Sequence, residues 1–414
     1  MNSAFYTMFL PCQSGKTRQM IRAIRIAYKD SPQSKPIPFI MTTNHSQLTL
    51  QTANRLHQSL GNKYKLFVLN SMYNYHPNQL FFQERIVYNP PLEAVDNYLS
   101  RFHAVNADIK PPMFVALSNS FQMKKVLHFI DELVDGYDSP VNLYFDEADI
   151  TYLHTRNDWI PYLYRCKSIT LITATPQPLL DSKFDEIDMF QPYPVQQTQE
   201  FETLYMNHLD TEFVDYCKLP LTFAADPNTH IIETLRTHYN HFAAPLSNGK
   251  FRKIIAISTM YMSDHLFLAQ TILRDFEFNA LTINAAGIRL YTKSHPDSIL
   301  FPSIKTEFCQ FLQHLDNTYP EVAQRPLVIL GNRRIDRGVT FQLPEHDLII
   351  RDIIIPPHIK KVPRLIQVLG RIAGYIKHRI DKQEKVRIYT NPRKGVAPSE
   401  GPTSSDEETA PLPR

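Results

Sequence analysis

Apolar and polar positions in the first half of the chain alternate in blocks that predict a parallel α/β sheet. Short apolar runs, each as long as a buried strand, are followed by longer segments with apolar residues at helical spacing. The predicted strands are 6–10, 37–42, 64–69, 113–117, 141–145 and 168–172. One predicted helix begins at Lys16, and two others cover 46–60 and 121–134. This repeated order of strand and helix is typical of a sheet with parallel strands.

A second series with the same order follows a stretch in which the pattern loosens. Its predicted strands are 253–258, 280–283, 326–330, 347–355 and 385–389, and its predicted helices are 263–274, 304–315 and 363–375. Residues 71–91 are rich in Tyr, Asn and Pro and are predicted to be an irregular insertion. The predicted division is a first α/β domain (1–200), an irregular linker (201–248), a second α/β domain (249–392) and a disordered tail (393–414).

Composition agrees with two globular domains. The chain has 414 residues, of which 43% are hydrophobic and 21% are charged, and it can therefore bury more than one core. No apolar run in the sequence reaches the length needed to cross a bilayer, and the first residues lack the basic and apolar regions of a secretory signal. We therefore expect a soluble intracellular protein with no membrane partner.

Cysteine spacing and net charge bear on which metal sites, disulfides and partners the sequence predicts. The four cysteines are scattered without a CxxC pair, which predicts neither a zinc site nor a disulfide framework. They are Cys12, Cys166, Cys217 and Cys309, and reduced thiols are the simplest interpretation. The net charge of +3, from 44 basic and 41 acidic residues, is too balanced to decide whether nucleic acid is a partner.

Candidate chemistry begins at the end of the first predicted strand, where a loop of small residues contains Ser14 and leads into Gly15, Lys16 and Thr17. In a phosphate-binding loop the amides at the helix N-terminus face an anion, the lysine reaches the β- and γ-phosphates and the threonine holds Mg²⁺. The full pattern has a glycine where this chain has Leu10. The alternative for this stretch alone is a helix start with a surface lysine.

Four residues with three carboxylates, Asp146, Glu147, Ala148 and Asp149, directly follow the strand predicted at 141–145. Open α/β sheets bind their ligands at the carboxyl ends of the strands. In that position Asp146 can hold Mg²⁺, directly or through water, and Glu147 can orient or deprotonate an attacking water. The alternative is an acidic cap for the following helix.

The next predicted strand ends in Thr173, Ala174 and Thr175. Small hydroxyl side chains at a strand end can bridge two sites by hydrogen bonds. The alternative is a simple turn into the prolines that follow.

Taken together and in order, Gly-Lys-Thr, Asp-Glu-Ala-Asp, Thr-Ala-Thr, Arg-Gly and Gln-x-x-Gly-Arg resemble the motifs of superfamily 2 helicases. The segments that resemble motifs I to VI are 10–17, 146–149, 173–175, 255–258, 336–340 and 367–374. They span nearly the whole chain. The resemblance implies an α/β fold with two RecA-like parallel-sheet domains in tandem and ATP in the cleft between them.

The implied activity is that of an enzyme, an ATP-dependent helicase or translocase that couples ATP hydrolysis to movement on, or unwinding of, DNA or RNA. Its cofactors would be ATP and Mg²⁺. The implied catalytic residues are Lys16, Asp146, Glu147, Gln367 and Arg371. Gln367 would face the ATP site across the cleft, and Arg371 would be the arginine finger; a surface arginine on a helix is the alternative. Gly338 lies in motif V, which contacts both nucleic-acid phosphate and the nucleotide site.

The implied partner is DNA or RNA, as a single strand or a duplex junction, together with replication or transcription proteins. Polar residues on loops after apolar strands are the candidate nucleic-acid contacts, and each could equally be a cap or turn residue. They are Thr43, Asn44, Asn119, Ser120 and Arg337.

Several positions depart from the family pattern. Gly374 stands where motif VI usually has a second arginine, and Gln13 stands where motif I usually has a glycine. The segment before Pro11 is too short for the adenine-reading motif of DEAD-box RNA helicases. The pattern is more similar to divergent helicases of large DNA viruses and mobile elements, which would place the protein in a host cytoplasm or nucleus. The alternative function is a nucleotide-binding nucleic-acid clamp or assembly subunit that does not unwind. A third possibility, a P-loop kinase, would leave the second half of the chain unexplained.

Overall fold

The structure is a computed structural model of the chain. It describes residues 3–10, 15–31, 34–44, 46–71, 74–81, 85–104, 109–182, 184–193, 214–218, 226–246, 249–258, 261–284, 287–301, 308–332, 350, 352–356 and 386–390. These residues form two α/β units, each built on an eight-stranded sheet. Among the helices of the described ranges, none is both long enough and apolar enough to cross a membrane.

The first sheet is parallel throughout. Its strands are β1 (Ala4–Phe9), β2 (Ile37–Thr42), β3 (Lys65–Leu69), β4 (Val87–Tyr88), β5 (Pro112–Leu117), β6 (Val141–Asp146), β7 (Ser168–Thr173) and β8 (Gln191–Pro192). They lie side by side in the order β4-β3-β5-β2-β6-β7-β1-β8, and every neighbouring pair is parallel. Strands β2, β3, β5 and β6 are buried at every residue, as expected of strands covered on both faces.

Helices cover both faces of this sheet. They are α1 (Lys16–Asp30), α2 (Ser46–Leu60), α3 (Asn78–Phe81), α4 (Leu92–His103), α5 (Ser120–Asp131), α6 (Ala148–Trp159) and α7 (Gln177–Leu180). Successive residues of β2 point to opposite faces: Phe39 packs in one core with residues of α4, α5 and α6, and Ile40 packs in another with residues of α1 and α2. The sheet therefore has a buried core on each face.

The second sheet is parallel except at one edge. Its strands are β9 (Val214–Lys218), β10 (Lys253–Ile257), β11 (Asn279–Asn284), β12 (Gly287–Thr292), β13 (His295–Phe301), β14 (Leu327–Gly331), β15 (Asp352–Ile354) and β16 (Val386–Thr390). Their order is β13-β12-β11-β14-β10-β15-β16-β9. The pairs β11–β12 and β12–β13 are antiparallel, and the other pairs are parallel.

Five helices lie in the described residues of the second unit. They are α8 (Pro227–Thr237), α9 (Tyr239–Ala243), α10 (Met262–Phe276), α11 (Phe308–Thr318) and α12 (Pro320–Gln324). Residues of α8, α9 and α10 share one core with the sheet, and residues of α11 and α12 share another. This sheet therefore also has helices on both faces.

The strands predicted in the first half are confirmed with ends that shift by two residues or fewer, and the helix predicted at 46–60 has the predicted bounds. Part of the predicted linker has regular structure, because β9, α8 and α9 lie within 201–248 and β9 pairs with β16. The position of the boundary between the domains stays a prediction. The helix predicted at 363–375 and the tail lie outside the described residues.

Candidate active site

Three strand ends bring the first three candidate motifs to one edge of the first sheet. Strand β7 lies between β6 and β1, with Phe9 opposite Thr173 and Asp146 opposite Ile172. The amide of Leu10 donates a hydrogen bond to the Thr173 carbonyl oxygen at 3.0 Å. Because these strands are parallel and in register, the loops that follow them emerge side by side at the carboxyl edge.

Gly15 forms the entrance to helix α1. Its φ of 83° and ψ of 28° lie in the left-handed region, which glycine adopts without the steric cost paid by other residues. No acidic residue occupies the first turn of α1. The first turn therefore presents backbone amides and the positive end of the helix dipole beside Lys16 and Thr17, which is the environment that phosphate groups prefer.

Lys16 and Glu147 come from opposite ends of the first sequence half and lie together at this edge. The Lys16 Nζ is 3.9 Å from the Glu147 Oε1, and the two side chains are only 12% and 6% exposed. Asp146, the last residue of β6, is also buried. The structure therefore brings the half-buried Lys16 close to Glu147, next to Asp146, the two buried carboxylates that the sequence predicts to be catalytic.

Glu147 has an unusual backbone conformation at the junction of β6 and α6. Its φ is 55° and its ψ is 54°, a left-handed conformation that costs a residue with a Cβ some free energy. The Thr151 hydroxyl donates to the carbonyl oxygens of Asp146 at 3.0 Å and of Glu147 at 3.2 Å. These contacts hold the tight turn that directs Glu147 toward Lys16.

Asp149 connects the acidic cluster to the end of β7. Its Oδ1 accepts a hydrogen bond from the Thr173 hydroxyl at 2.7 Å, and its Oδ2 accepts one from the Thr175 hydroxyl at 2.9 Å. The Thr175 amide also donates to the Thr173 hydroxyl oxygen at 3.0 Å. All three side chains are buried. The hydroxyl groups of Thr173 and Thr175 thus bind the acidic cluster, and whether they also bridge two sites stays a prediction.

The residues of this edge suit Mg²⁺ bound together with a nucleotide. Thr17 supplies a hydroxyl and Asp146 a carboxylate, both of them oxygen ligands of the kind that Mg²⁺ prefers. Among the described residues, no group of three or more His, Cys, Asp or Glu side chains could hold a metal by itself. Nucleotide-associated Mg²⁺ takes only one or two protein ligands and the rest from phosphate and water, so these two residues fit it.

The four described candidates for nucleic-acid contact also meet at the carboxyl edge, after β2 and β5. The Asn119 Nδ2 donates to the Asn44 Oδ1 at 3.1 Å, and the Asn119 Oδ1 accepts from the Gln122 amide at 2.9 Å. Asn119 is therefore the N-cap of α5 as well as a bridge to Asn44. Thr43 is buried and Ser120 is exposed. Whether these four residues contact nucleic acid stays a prediction.

Two further asparagines that were not predicted, the buried Asn70 and the half-buried Asn89, extend this polar cluster. The Asn89 Oδ1 accepts from the Asn70 amide at 2.7 Å, and the Gln122 Nε2 donates to the Asn70 carbonyl oxygen at 3.3 Å. Asn44, Asn119, Gln122, Asn70 and Asn89 thus form one hydrogen-bonded series across the ends of β2, β5, β3 and β4, here called the amide row. Asn70 directly follows a predicted strand, so the rule that selected Asn44 would have found it.

Several predicted site residues lie outside the described residues. They are Ser14, Arg337, Gly338, Gln367 and Arg371. Their roles stay predictions that rest on the sequence resemblance alone.

No protein-family model and no curated protein sequence matches the chain. The ATP-dependent Type ISP restriction–modification enzyme LlaBIII bound to DNA is similar in structure, with a TM-score of 0.50 and 12% identity over 93% of this chain and 26% of that one. Mss116p bound to single-stranded RNA and AMP-PNP gives a TM-score of 0.48 and 11% identity, over 94% of this chain and 66% of that one. RecG bound to a three-way DNA junction gives a TM-score of 0.41 and 11% identity, over 94% of this chain and 40% of that one.

The chain thus spans 66%, 26% and 40% of the lengths of Mss116p, LlaBIII and RecG. At such low identity the similarity to LlaBIII bears on fold alone. Together with the order of the two sheets, it confirms the predicted fold class, two RecA-like α/β units in tandem.

Proposed function

We propose that this chain is an ATP-dependent helicase or translocase of superfamily 2 that acts on DNA or RNA. The observation that carries the proposal is the approach of Lys16 to Glu147, 3.9 Å apart in a buried setting at the carboxyl edge of a parallel sheet. A surface lysine at a helix start would have no reason to meet a buried carboxylate there. A phosphate-binding lysine and a water-activating carboxylate must lie close together, because both act on the same γ-phosphate.

The geometry suggests how the first unit would bind and hydrolyse ATP. The amides at the start of α1 and the Lys16 ammonium would bind the phosphates. As Lys16 moves onto the phosphates, the Glu147 carboxylate would become available to orient a water and accept its proton. Mg²⁺ held by Thr17 and Asp146 would neutralise charge on the phosphate oxygens.

The remaining steps belong to the second half of the chain. By the sequence resemblance, Arg371 would stabilise charge on the transferring phosphoryl group, and Gln367 and Gly338 would contact the nucleotide from the second unit. ATP would then lie between the two units, and hydrolysis would release their contact. Arg337 and the accessible members of the amide row, Asn44 and Asn119, would bind nucleic acid mainly through phosphates, which predicts salt-sensitive affinity.

The test is steady-state ATP hydrolysis by the full chain and by two variants. Lys16→Ala removes the phosphate-binding ammonium, and Glu147→Gln removes the base while keeping the shape of the side chain. Each should lower kcat by about 10²-fold or more, and Glu147→Gln should still bind nucleotide. Lys29→Ala is the matched control, because Lys29 is an exposed lysine in the last turn of the same helix. Unchanged turnover in Lys16→Ala or Glu147→Gln would contradict the proposal.

A strand-displacement assay separates unwinding from translocation or clamping. A chain that binds nucleotide and nucleic acid without turnover would be the alternative clamp or assembly subunit, for which Gly374 and the altered motif I are the supporting sequence features. Replication or transcription complexes are the proposed context for either function.

A further inference from the structure

An exposed aromatic ring stands beside the amide row. Phe121 is the second residue of α5 and is 66% exposed, although it follows Asn119 and Ser120 directly in a polar surface. The ring is not part of the core of this unit, because Val126, Phe129 and Ile130 lie on the buried side of α5. A single exposed phenylalanine is common on protein surfaces, so the groups around the ring decide what it can bind.

Two lysines share the surface of Phe121. Lys124 and Lys125 lie three and four residues further along α5 and are therefore neighbours of the ring on the helix surface. The Lys125 Nζ is 5.4 Å from the ring centroid and donates to the Pro90 carbonyl oxygen at 3.2 Å. Burial lowers the pKa of the Lys125 ammonium from its ordinary value. Lys124 is exposed. A ring with cations beside it has the chemistry of a site for a nucleic-acid strand, whose bases stack and whose phosphates are negative.

The buried hydroxyl of Thr43 is a separate feature of the same polar edge. Thr43 is only 6% exposed, and within the described part of the chain its hydroxyl has no hydrogen-bond partner. It lies between Thr42, whose carbonyl oxygen accepts from the Ser118 amide at 3.0 Å, and Asn44, which pairs with Asn119. A buried hydroxyl without a partner is unfavourable unless a ligand satisfies it.

The location is continuous with the candidate nucleotide site. In the first sheet β2 lies between β5 and β6, so the end of the amide row at Asn44 is next to the strand that ends in Asp146. A strand bound along the row would therefore run toward the edge where ATP is proposed to bind.

We propose that Phe121 stacks on a base of single-stranded nucleic acid, while the accessible side chains of Asn44, Asn119 and Lys124 contact the flanking backbone. This inference rests on the proposed function, since it assigns a contact within the proposed nucleic-acid surface. Stacking on an aromatic ring is independent of base identity, because every base has a π face. The contact therefore adds affinity for an unpaired strand without adding a sequence preference.

The test measures binding of labelled single strands of about 12 nucleotides to the full chain by fluorescence anisotropy. Oligodeoxythymidine and oligouridine are used, each with an abasic counterpart that keeps every phosphate. The variants are Phe121→Ala and Phe121→Trp. Tyr164→Ala is the matched control, because Tyr164 is 67% exposed but precedes β7 and so lies toward the opposite, amino edge of the same sheet.

Phe121→Ala should weaken binding of base-containing strands roughly 5- to 150-fold. Phe121→Trp should bind at least as tightly as the unmodified chain, and Tyr164→Ala should bind equally well. On abasic strands Phe121→Ala and the unmodified chain should have the same affinity, which also shows that the variant is folded. The salt dependence should not change, because no phosphate contact is removed.

Three results would overturn the inference in distinguishable ways. Equal affinity of Phe121→Ala and the unmodified chain for base-containing strands contradicts stacking alone and leaves the proposed function standing. The same loss on abasic strands places the effect on the backbone or on folding and also contradicts stacking. If the unmodified chain binds no single strand, with or without AMP-PNP, the proposed function and the stacking contact both fail.

Discussion

Asp149 shows how one buried carboxylate can connect two segments of a site. Its two oxygens accept hydrogen bonds from Thr173 and Thr175, which tie the start of α6 to the end of β7. Hydrogen bonds to an ionised group are stronger than those between neutral groups. Asp149 is therefore a positioning residue, which holds the turn that carries Asp146 and Glu147 against the neighbouring strand end.

This connection predicts energetic coupling between Asp149 and Thr173. Asp149→Asn and Thr173→Val should each lower the free energy of unfolding by about 1–3 kcal/mol, and the double variant should lose clearly less than the sum, since both changes remove one shared interaction. Urea unfolding followed by Trp159 fluorescence reports on this unit, because Trp159 is the single tryptophan of the chain and is buried at the end of α6. Additive losses would contradict the bridge.

The control pair uses the same strand. Thr170 is a buried threonine of β7 three residues before Thr173. Thr170→Val and Asp149→Asn should be additive, because Thr170 and Thr173 are three residues apart in one strand and point to opposite faces of the sheet.

At the scale of elements, helix α5 is where the fold and the proposed function can be separated. The Asn119 side chain caps the helix through its oxygen and bridges to Asn44 through its nitrogen. Asn119→Ala removes both contacts and should lower the free energy of unfolding by about 1 kcal/mol. Asn119→Asp keeps a capping oxygen and should stay within a few tenths of a kcal/mol of the unmodified chain.

The same pair of variants should differ in nucleic-acid binding. The carboxylate of Asn119→Asp adds a negative charge to the amide row and should weaken binding of single strands more than Asn119→Ala does, most strongly at low salt. Urea unfolding followed at Trp159 and anisotropy give the two readouts. Equal destabilisation by both substitutions would indicate that the bridge to Asn44, rather than the cap, supports the helix.

The elements that the sequence predicted best are those with continuous burial. Strands β2, β5 and β6 are apolar runs buried at every residue, and such runs are recognisable without any tertiary information. The antiparallel strand β13 was missed because it lies at a sheet edge, is largely exposed, contains Pro296 and has an apolar run of only three residues, 299–301. Strand β4 was missed because two residues are too few to form a pattern.

Some features of the candidate site could likewise be predicted from the sequence, and others could not. Both Lys16 and Glu147 follow apolar strands, and the rule that parallel strands share a carboxyl edge was enough to predict that they meet. The left-handed conformation of Glu147 has no local sequence signal, because the residue is not glycine. The contacts within the amide row could not be predicted either, because they depend on the spatial order β4-β3-β5-β2, which differs from the order of these strands along the chain.

At the scale of the whole molecule, the first sheet carries two surfaces on one edge. The ends of β1, β6 and β7 form the candidate nucleotide site, and the ends of β2, β3, β4 and β5 carry the amide row. The two sets of strands are neighbours in the sheet, because β2 of the second set pairs with β6 of the first. The proposed function accordingly expects nucleic acid and ATP to affect each other's binding, and by the same factor.

The most direct measurement is the rate of ATP hydrolysis by the full chain in Mg²⁺, with and without single-stranded DNA or RNA, beside Glu147→Gln under the same conditions. The proposed function predicts that a single strand increases turnover several-fold, that this increase falls as salt rises, and that Glu147→Gln lowers both basal and stimulated hydrolysis by about 10²-fold or more. A rate that is the same with and without nucleic acid, or the same in Glu147→Gln as in the unmodified chain, would contradict it.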